Sequence, residues 1–542
     1  MDSVTDILNE FDKLKENFLN QSSILEEKII TIEEQEKQIA LLEEHIRYLK
    51  YQKYGRSSER NVDQLALFNE EDSLVDESLQ EQDIPCETLD EKNKTDSADA
   101  KAAKRGRRKL PENLPRVKCY HDLSADQQQC QCGCQMESFG DVTSEQLAII
   151  PAKLYVIQHC RKKYRCRQCE CGIKTAPLSP QPIPKSNASP ELLAHSIVAK
   201  FLDGLPFYRQ EKIWERMDIT LPRATLANWT IKTGDFVQPL INLLIEYQMK
   251  GPYFNIDETP IQVLKEPDKP PDGKKYFWVT ASVVDGKTIY RFHYNPSRGA
   301  DVAKALLDGF TGTVMSDDCP VYAHVCNKLG LVHINCNDHA RRKFNDAKKG
   351  EPKGEPKGKT KAKTKLSRAS MALRFYKRLY AIEKRIRLIG TLTTEEIEAI
   401  RQEESKPIWA EFKAWIEKTI PHVNPKSKLG IALNYTYRLW DKLTAYCEDG
   451  NLPISNERAE NAIRPFAIAR KNFLFFDSPK GAKASENHYT LIMTAKANGL
   501  DPYYYLAYVF KELPKAETLE DVEALLPWNL DNESLKAAFN YY

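Results

Sequence analysis

A multidomain α/β protein is predicted from three observations: an N-terminal heptad, a cluster of cysteines, and a later stretch in which strands alternate with helices. A chain of 542 residues is too long for one hydrophobic core, so three or more folded units are expected. Apolar residues make up 41% and charged residues 29%, a globular composition. The formal net charge is only +2, so any nucleic-acid signal must be local. No apolar run is long enough for a transmembrane helix. The start, MDSVTDILNEFDKL, lacks the basic and apolar regions of a secretory signal. A cytoplasmic location is expected, where clustered cysteines read as metal ligands rather than disulfides.

The heptad comes first. One core position holds Phe11, Phe18, Leu25, Ile32, Ile39 and Ile46; the other holds Ile7, Leu14, Gln21, Lys28, Gln35, Leu42 and Leu49. No proline or glycine interrupts it. Ile at a with Leu at d favours a two-stranded parallel coiled coil, and the polar core residues would fix its register. The alternative is one long helix packed on its own chain. Residues 61–100 are acidic and poor in aromatics, a disordered linker. The basic stretch KAAKRGRRKLPENLPR (101–116) follows, with Arg105, Arg107 and Arg108 suited to contacting phosphates.

Eight of the thirteen cysteines lie between Cys119 and Cys171. Cys166 and Cys169 have the CxxC spacing of a zinc knuckle, in which two thiolates on one turn share a tetrahedral ion. Upstream, Cys130, Cys132 and Cys134 offer three sulfurs where two are needed. Cys130 and Cys132 are taken as the partners, with Cys134 as the alternative. Such a Zn2+ has no open position and is structural.

Two short helices with a break at 218–222 match a helix-turn-helix. Thr220 is placed to cap the second helix, with Pro222 in its first turn and Gly234 as its C-cap. Arg223, Thr225, Asn228 and Lys232 are candidate DNA contacts. Many helical hairpins share this pattern.

The stretch 253–345 carries the chemistry. Tyr253–Asp257 is an apolar strand ending in an acid. Strands at 274–284 and 288–295 are joined by Asp285-Gly286, a hairpin signal. A helix over 300–309, a strand ending at Asp317, another helix, the strand 331–336 and a basic helix complete the set. Three antiparallel strands followed by alternating helix and strand give the order of a ribonuclease-H-like fold. In that order Asp257 and Asp317 lie on neighbouring strands. Phosphodiester cleavage develops charge on the attacking and the leaving oxygen, and two Mg2+ (or Mn2+) ions roughly 4 Å apart stabilise both. Hard cations take carboxylates. A third acid comes from Glu460 in SNERAENAIRPFAIARKNFLF, with Arg464, Arg470 and Lys471 suited to substrate phosphates. Asp318 and Glu457 are competitors.

At these residues the sequence resembles insertion-sequence-66 family transposases, of the Asp-Asp-Glu class found on bacterial mobile elements. YLKYQKYGRSSER (48–60), RRKLPENLPR, IPKSNASPELLAHSIVAKFLDGLPFYRQE (183–211), IDETP, CNDHARRKF, NERAENAIRPFAIARKNFLFF and AKANGLDPYYYL (495–506) match its motifs in order. The resemblance implies Asp257 as the first acid, Asp317 as the second, five residues before Tyr322, and Glu460 as the third. The family commonly has Asp-Gly-Tyr at the second acid, where this chain has Asp317-Asp318-Cys319, so Asp318 stays open. Its first zinc pair is often CxxC, whereas here it is CxCxC.

The implied activity is DNA cleavage at the element ends and strand transfer into target DNA, both on double-stranded DNA. A homo-oligomer formed through the coiled coil, accessory proteins of the same element and a nucleoid location are further expectations. The alternatives are a nuclease that cuts without joining and a non-catalytic DNA-binding regulator. The expected organisation is a coiled coil (1–55), an acidic then basic linker (56–116), a zinc-binding region (117–180) and a helical DNA-binding region (181–250). A catalytic domain follows (251–347 and 450–490), interrupted by a flexible loop and helical insertion (348–449) and followed by a C-terminal helical region (491–542).

Overall fold

A computed structural model describes residues 2–54, 154–165, 173–351 and 367–539. The chain divides into two compact units, residues 81–179 and the remainder. In the smaller unit the described residues form a hairpin, β1 (Lys163–Arg165) and β2 (Ile173–Thr175), with Arg165 opposite Ile173. The connection between these strands, which contains Cys166 and Cys169, lies outside the described residues, as do Cys130, Cys132, Cys134, Arg105, Arg107 and Arg108.

The larger unit starts with α1 (Asp2–Tyr54), one helix of 53 residues, as a chain without Pro or Gly permits. Its heptad residues face outward: Phe18, Leu25, Ile32, Ile39, Leu42, Ile46 and Leu49 are all exposed. Its C-terminal end docks on the rest of the unit, with Arg47 Nε donating to the Gly350 carbonyl at 3.2 Å.

Helices α2 (Pro190–Phe201), α3 (Phe207–Glu215), α4 (Arg223–Phe236) and α5 (Gln238–Met249) follow. The break between α3 and α4 has Asp218 at φ 57°. The expected caps of α4 are corrected. Pro222, not Thr220, is its N-cap, and no side chain caps it. The helix also runs through Gly234 to Phe236. A Cβ at Gly234 would sit 2.7 Å from Ala484 Cα, so this glycine permits close helix packing instead of ending the helix.

The central sheet has β3 (Tyr253–Ile261), β4 (Lys275–Val284), β5 (Lys287–Asn295), β6 (Thr313–Ser316) and β7 (Val332–Asn335) in the order β5-β4-β3-β6-β7. The first three strands are antiparallel, and β6 and β7 run parallel to β3. Asp285 and Gly286 have φ 50° and 74°, the left-handed pair that a tight hairpin requires. On one face Phe254, Ile256 and Trp278 pack on α6 (Ala300–Leu307) and α7 (Pro320–Leu329). On the other, Tyr253, Met315 and Ile334 meet Ala340 and Phe344 of α8 (Asn337–Lys349). The strand Tyr253–Asp257 is longer than expected, running on to Ile261.

The helical insertion holds α9 (Arg368–Ile389), α10 (Thr394–Ile400), α11 (Lys406–Thr419), α12 (Lys428–Arg438) and α13 (Trp440–Thr444), packed around Tyr376, Trp409 and Phe412. A π-helical turn, Arg401–Ser405, joins α10 to α11. Then α14 (Glu457–Phe473) and α15 (Pro479–Ala497) close over β4 and β5, burying Phe466 and Tyr489 against Phe277. The C-terminal region is helical. It forms α16 (Pro502–Glu512), α17 (Leu519–Glu523) and α18 (Asn532–Ala537).

Candidate active site

The site begins where β3 turns from apolar to acidic. Parallel pairing sets Asn255 opposite Met315, so Asp257 and Asp317, each two residues further on, emerge side by side. Side chains alternate along a strand, so both acids share the face that carries Tyr253 and Met315. Glu460 arrives from the first turn of α14. Asn456, just before that helix, fixes its approach. Its side-chain amide donates to the Ile256 carbonyl at 3.1 Å, and its backbone N–H to Cys336 Sγ at 3.1 Å. Asn337 of α8 donates to the Ile454 carbonyl at 3.1 Å. Glu460 is thereby tied to the strand that carries Asp257.

The electrostatics are those of a buried, only partly neutralised cluster. Burial pushes Asp257 well above the usual carboxylate range, and Glu460, Glu258 and Asp317 push it further. The Glu258 N–H, donating to Asp257 Oδ1 at 2.8 Å, offsets only part of this. Asp317 is raised by burial and then by Glu258, against the opposing Cys319 N–H, 3.1 Å from Oδ1, and Arg298. Burial raises Glu460 to about 7, although Arg342 donates to its Oε2 at 3.1 Å. Their oxygen donors are of the kind that could hold a hard cation.

Residues without an assigned role in the sequence complete the surroundings. Glu258 points to the opposite face of β3, where it is held by Arg298 and by the Tyr322 hydroxyl. Arg298, Arg342 and Lys343 line a cavity of about 470 Å³ together with Asp317, Asp318 and His339. This is a basic wall beside an acidic floor. His339 is pushed down to about 4 by burial and then by Arg342. The motif CNDHARRKF contains His339 and Arg342, but their convergence on Glu460 is a tertiary event.

The competitors have cationic partners. Asp318, in the lining of the same cavity, pairs with Arg438. Glu457 accepts from Asn461 Nδ2 at 3.2 Å and lies 3.7 Å from Arg387. Arg470 is turned toward β3, donating to Thr259 Oγ1 at 3.2 Å and to the Pro260 carbonyl. Lys471 is exposed and Arg464 half-buried. On α4, Arg223, Asn228 and Lys232 are exposed and Thr225 is half-buried, while Leu226 and Trp229 pack inward.

Residues 185–484 match the family model described as Transposase IS66 family. The chain belongs to the IS66 transposase family. Residues 490–528 match the IS66 C-terminal element, and residues 127–170 the zinc-finger binding domain of transposase IS66. Residues 41–118 match a model described as Transposase C of IS166 homeodomain. Among curated relatives, the uncharacterized protein y4jD of Sinorhizobium fredii is 30% identical over 78% of this chain and 81% of its own length. The uncharacterized protein y4qI of the same organism is 29% identical over 92% and 90%. Membership makes this IS66 transposase a DNA-binding, DNA-processing enzyme, and its zinc-finger domain supports a structural Zn2+. No helix among the described residues is long and apolar enough to cross a membrane.

Proposed function

We propose that this IS66 transposase cleaves DNA at the element ends and joins the freed ends to target DNA, with Asp257, Asp317 and Glu460 holding Mg2+ or Mn2+. The reading rests chiefly on one observation. Asp257 on β3 is buried close enough to Asp317 at the end of β6 and Glu460 on α14 that both push its proton affinity up further, beside a cavity lined by Arg298, Arg342 and Lys343. The strand order β5-β4-β3-β6-β7 supports a ribonuclease-H-like catalytic domain.

When bound, such ions would neutralise charge at the scissile phosphate and activate the attacking water or 3′-hydroxyl. The protein's own groups do the positioning. Arg342 orients Glu460 through Oε2, and Asn456 holds α14 against β3. Arg298, Arg342 and Lys343 face the cavity and bind the phosphates flanking the scissile one. Asp317 is the second acid, since Asp318 is engaged by Arg438.

Recognition of the double-stranded element ends is assigned to Arg105, Arg107 and Arg108, to Arg223, Asn228 and Lys232 on α4, and to Arg464 and Lys471 along α14. Cys130, Cys132 (or Cys134), Cys166 and Cys169 hold the structural zinc. The exposed seam of α1 supports a homodimeric coiled coil, which would pair two DNA ends. A bacterial cytoplasmic, nucleoid-associated enzyme assisted by other proteins of its element completes the reading.

A strand-transfer assay on end-containing DNA tests it. Cleavage and joining should both require Mg2+ or Mn2+, and Glu460→Ala should abolish both while retaining DNA binding. Cleavage without joining would mark a nuclease, and binding without cleavage a regulator. Ile39→Asp with Leu42→Asp should dissociate the oligomer by placing charges opposite each other in the seam, at a cost of several kcal/mol. Unchanged sedimentation would sink the coiled coil.

A further inference from the structure

Beside the carboxylate cluster lies a donor set of different chemistry. Cys336 immediately precedes α8 and His339 lies in its first turn; residues three apart share a helix face. Glu460 reaches them from α14. The Cys336 sulfur, an imidazole nitrogen of His339 and a Glu460 carboxylate oxygen all lie within 4.8 Å of one another. His339 Nδ1 is 3.6 Å from Glu460 Oε1. Both atoms are sealed from solvent without a hydrogen-bond partner. Cys336 is 0% exposed and Glu460 6%. Buried polar atoms rarely stay unpaired. Arg342 occupies only Oε2, which leaves Oε1 directed at His339.

The donors sort by hardness. Asp257 and Asp317 offer only oxygen, which suits Mg2+. Sulfur, imidazole nitrogen and one carboxylate oxygen suit Zn2+ and its borderline-soft neighbours. Nitrogen and oxygen ligands at about 2.0 Å on a tetrahedral ion stand about 3.3 Å apart, near the 3.6 Å between Nδ1 and Oε1. Three protein ligands leave a fourth position open, and His339 borders the cavity through which an ion would enter.

We propose that Cys336, His339 and Glu460 form a second metal site, for Zn2+, that competes for Glu460 with the carboxylate centre and holds the enzyme idle when filled. Binding would release the Cys336 thiol proton. The competition rests on Glu460 being the third acid; the zinc site itself does not.

The full-length protein, with its zinc-finger zinc in place, is titrated with Zn2+ against a competing chelator. The parent should bind one more equivalent than Cys336→Ser or His339→Gln. Zn2+ should inhibit Mg2+-dependent cleavage. Relative to each variant's own zinc-free rate, the half-inhibiting concentration should rise at least tenfold in both variants. His339→Gln, at the cavity wall, serves if the fully buried Cys336→Ser does not fold. Equal zinc equivalents in the parent and the folded variants would overturn the site. An extra equivalent that leaves cleavage unaffected would overturn the competition. Full cleavage by Glu460→Gln would instead overturn the reading of Glu460 as the third acid.

Discussion

Two buried acids in this chain meet opposite fates. Glu383, in the helical insertion, is matched by Arg401, which donates through Nε at 2.9 Å and Nη2 at 2.7 Å. The remaining nitrogen of Arg401 serves the carbonyls of Tyr446, Asp449 and Leu452 at 2.9–3.0 Å. Every charge there has a partner, and the pair closes the insertion's core. Glu460 lies in the other region, beside two further acids, with one guanidinium on one oxygen and nothing bonded to the other. A buried charge must be paired, protonated or given a metal. The insertion takes the first route. The carboxylate cluster is only partly paired, and its acids are pushed toward the protonated form.

The contrast is broken or sharpened most strongly by paired substitutions. Asp257→Asn should lower cleavage on the order of a thousandfold, about 4 kcal/mol of transition-state stabilisation, while the metal-free protein melts no lower than the parent. Relief of repulsion offsets any lost contact. Glu383→Ala should do the reverse: stability falls by about 3–5 kcal/mol, because Arg401 is left buried and unpaired, and the folded fraction still cleaves. Denaturant midpoints and a cleavage assay on both variants decide. An Asp257→Asn protein as unstable as Glu383→Ala would erase the distinction.

A smaller effect follows from pH. Glu460 is raised from 4.5 to about 7. Between those values the folded, metal-free chain holds a proton that the unfolded chain has lost. Stability from this group is therefore present below about pH 4.5 and is lost as pH rises through about 7. Mg2+ should restore it where the acid is ionised. The gain in Tm on adding Mg2+ should widen from pH 6 to pH 8 by a few degrees, roughly the scale of 1 kcal/mol in a domain of this size. Calorimetry in both conditions checks it, and Glu460→Gln should flatten the dependence. A Mg2+ gain that is constant across the range would contradict the partly paired cluster.

The smallest effect is expected at Asp318. Its pairing with Arg438 is solvent-accessible, with the two side chains 31% and 60% exposed. Asp318→Ala should cost no more than about 1 kcal/mol and leave cleavage within a few-fold of the parent. Loss of cleavage as deep as in Asp257→Asn would transfer the second acid from Asp317 to Asp318.

Much of the molecule was legible in the sequence because its signals are local. An unbroken heptad predicted the helix of a coiled coil, and its helical part is seen in α1, 53 residues long. Asp285-Gly286 predicted the hairpin between β4 and β5, and both of these strands lie within a residue of their expected ends. Strand order then set Asp257 beside Asp317, since neighbouring parallel strands carry their ends together. Period, turn chemistry and strand-end acids all act over a few residues, and residue type alone records them.

Tertiary structure decided the remainder. Gly234 looks like a helix end, but the approach of Ala484 makes it a packing point. Arg470 reads as a phosphate contact, but it spends donors on β3. Above all, Arg342 meets Glu460 across 118 residues of chain, and Cys336 and His339 converge on the same side chain. Such meetings leave no periodic trace, because the distance along the chain between partners is set by the helices inserted between them. Residue type determined which groups could bind a cation or a phosphate. Only the packing of α8 and α14 against β3 determined which of them share one charge.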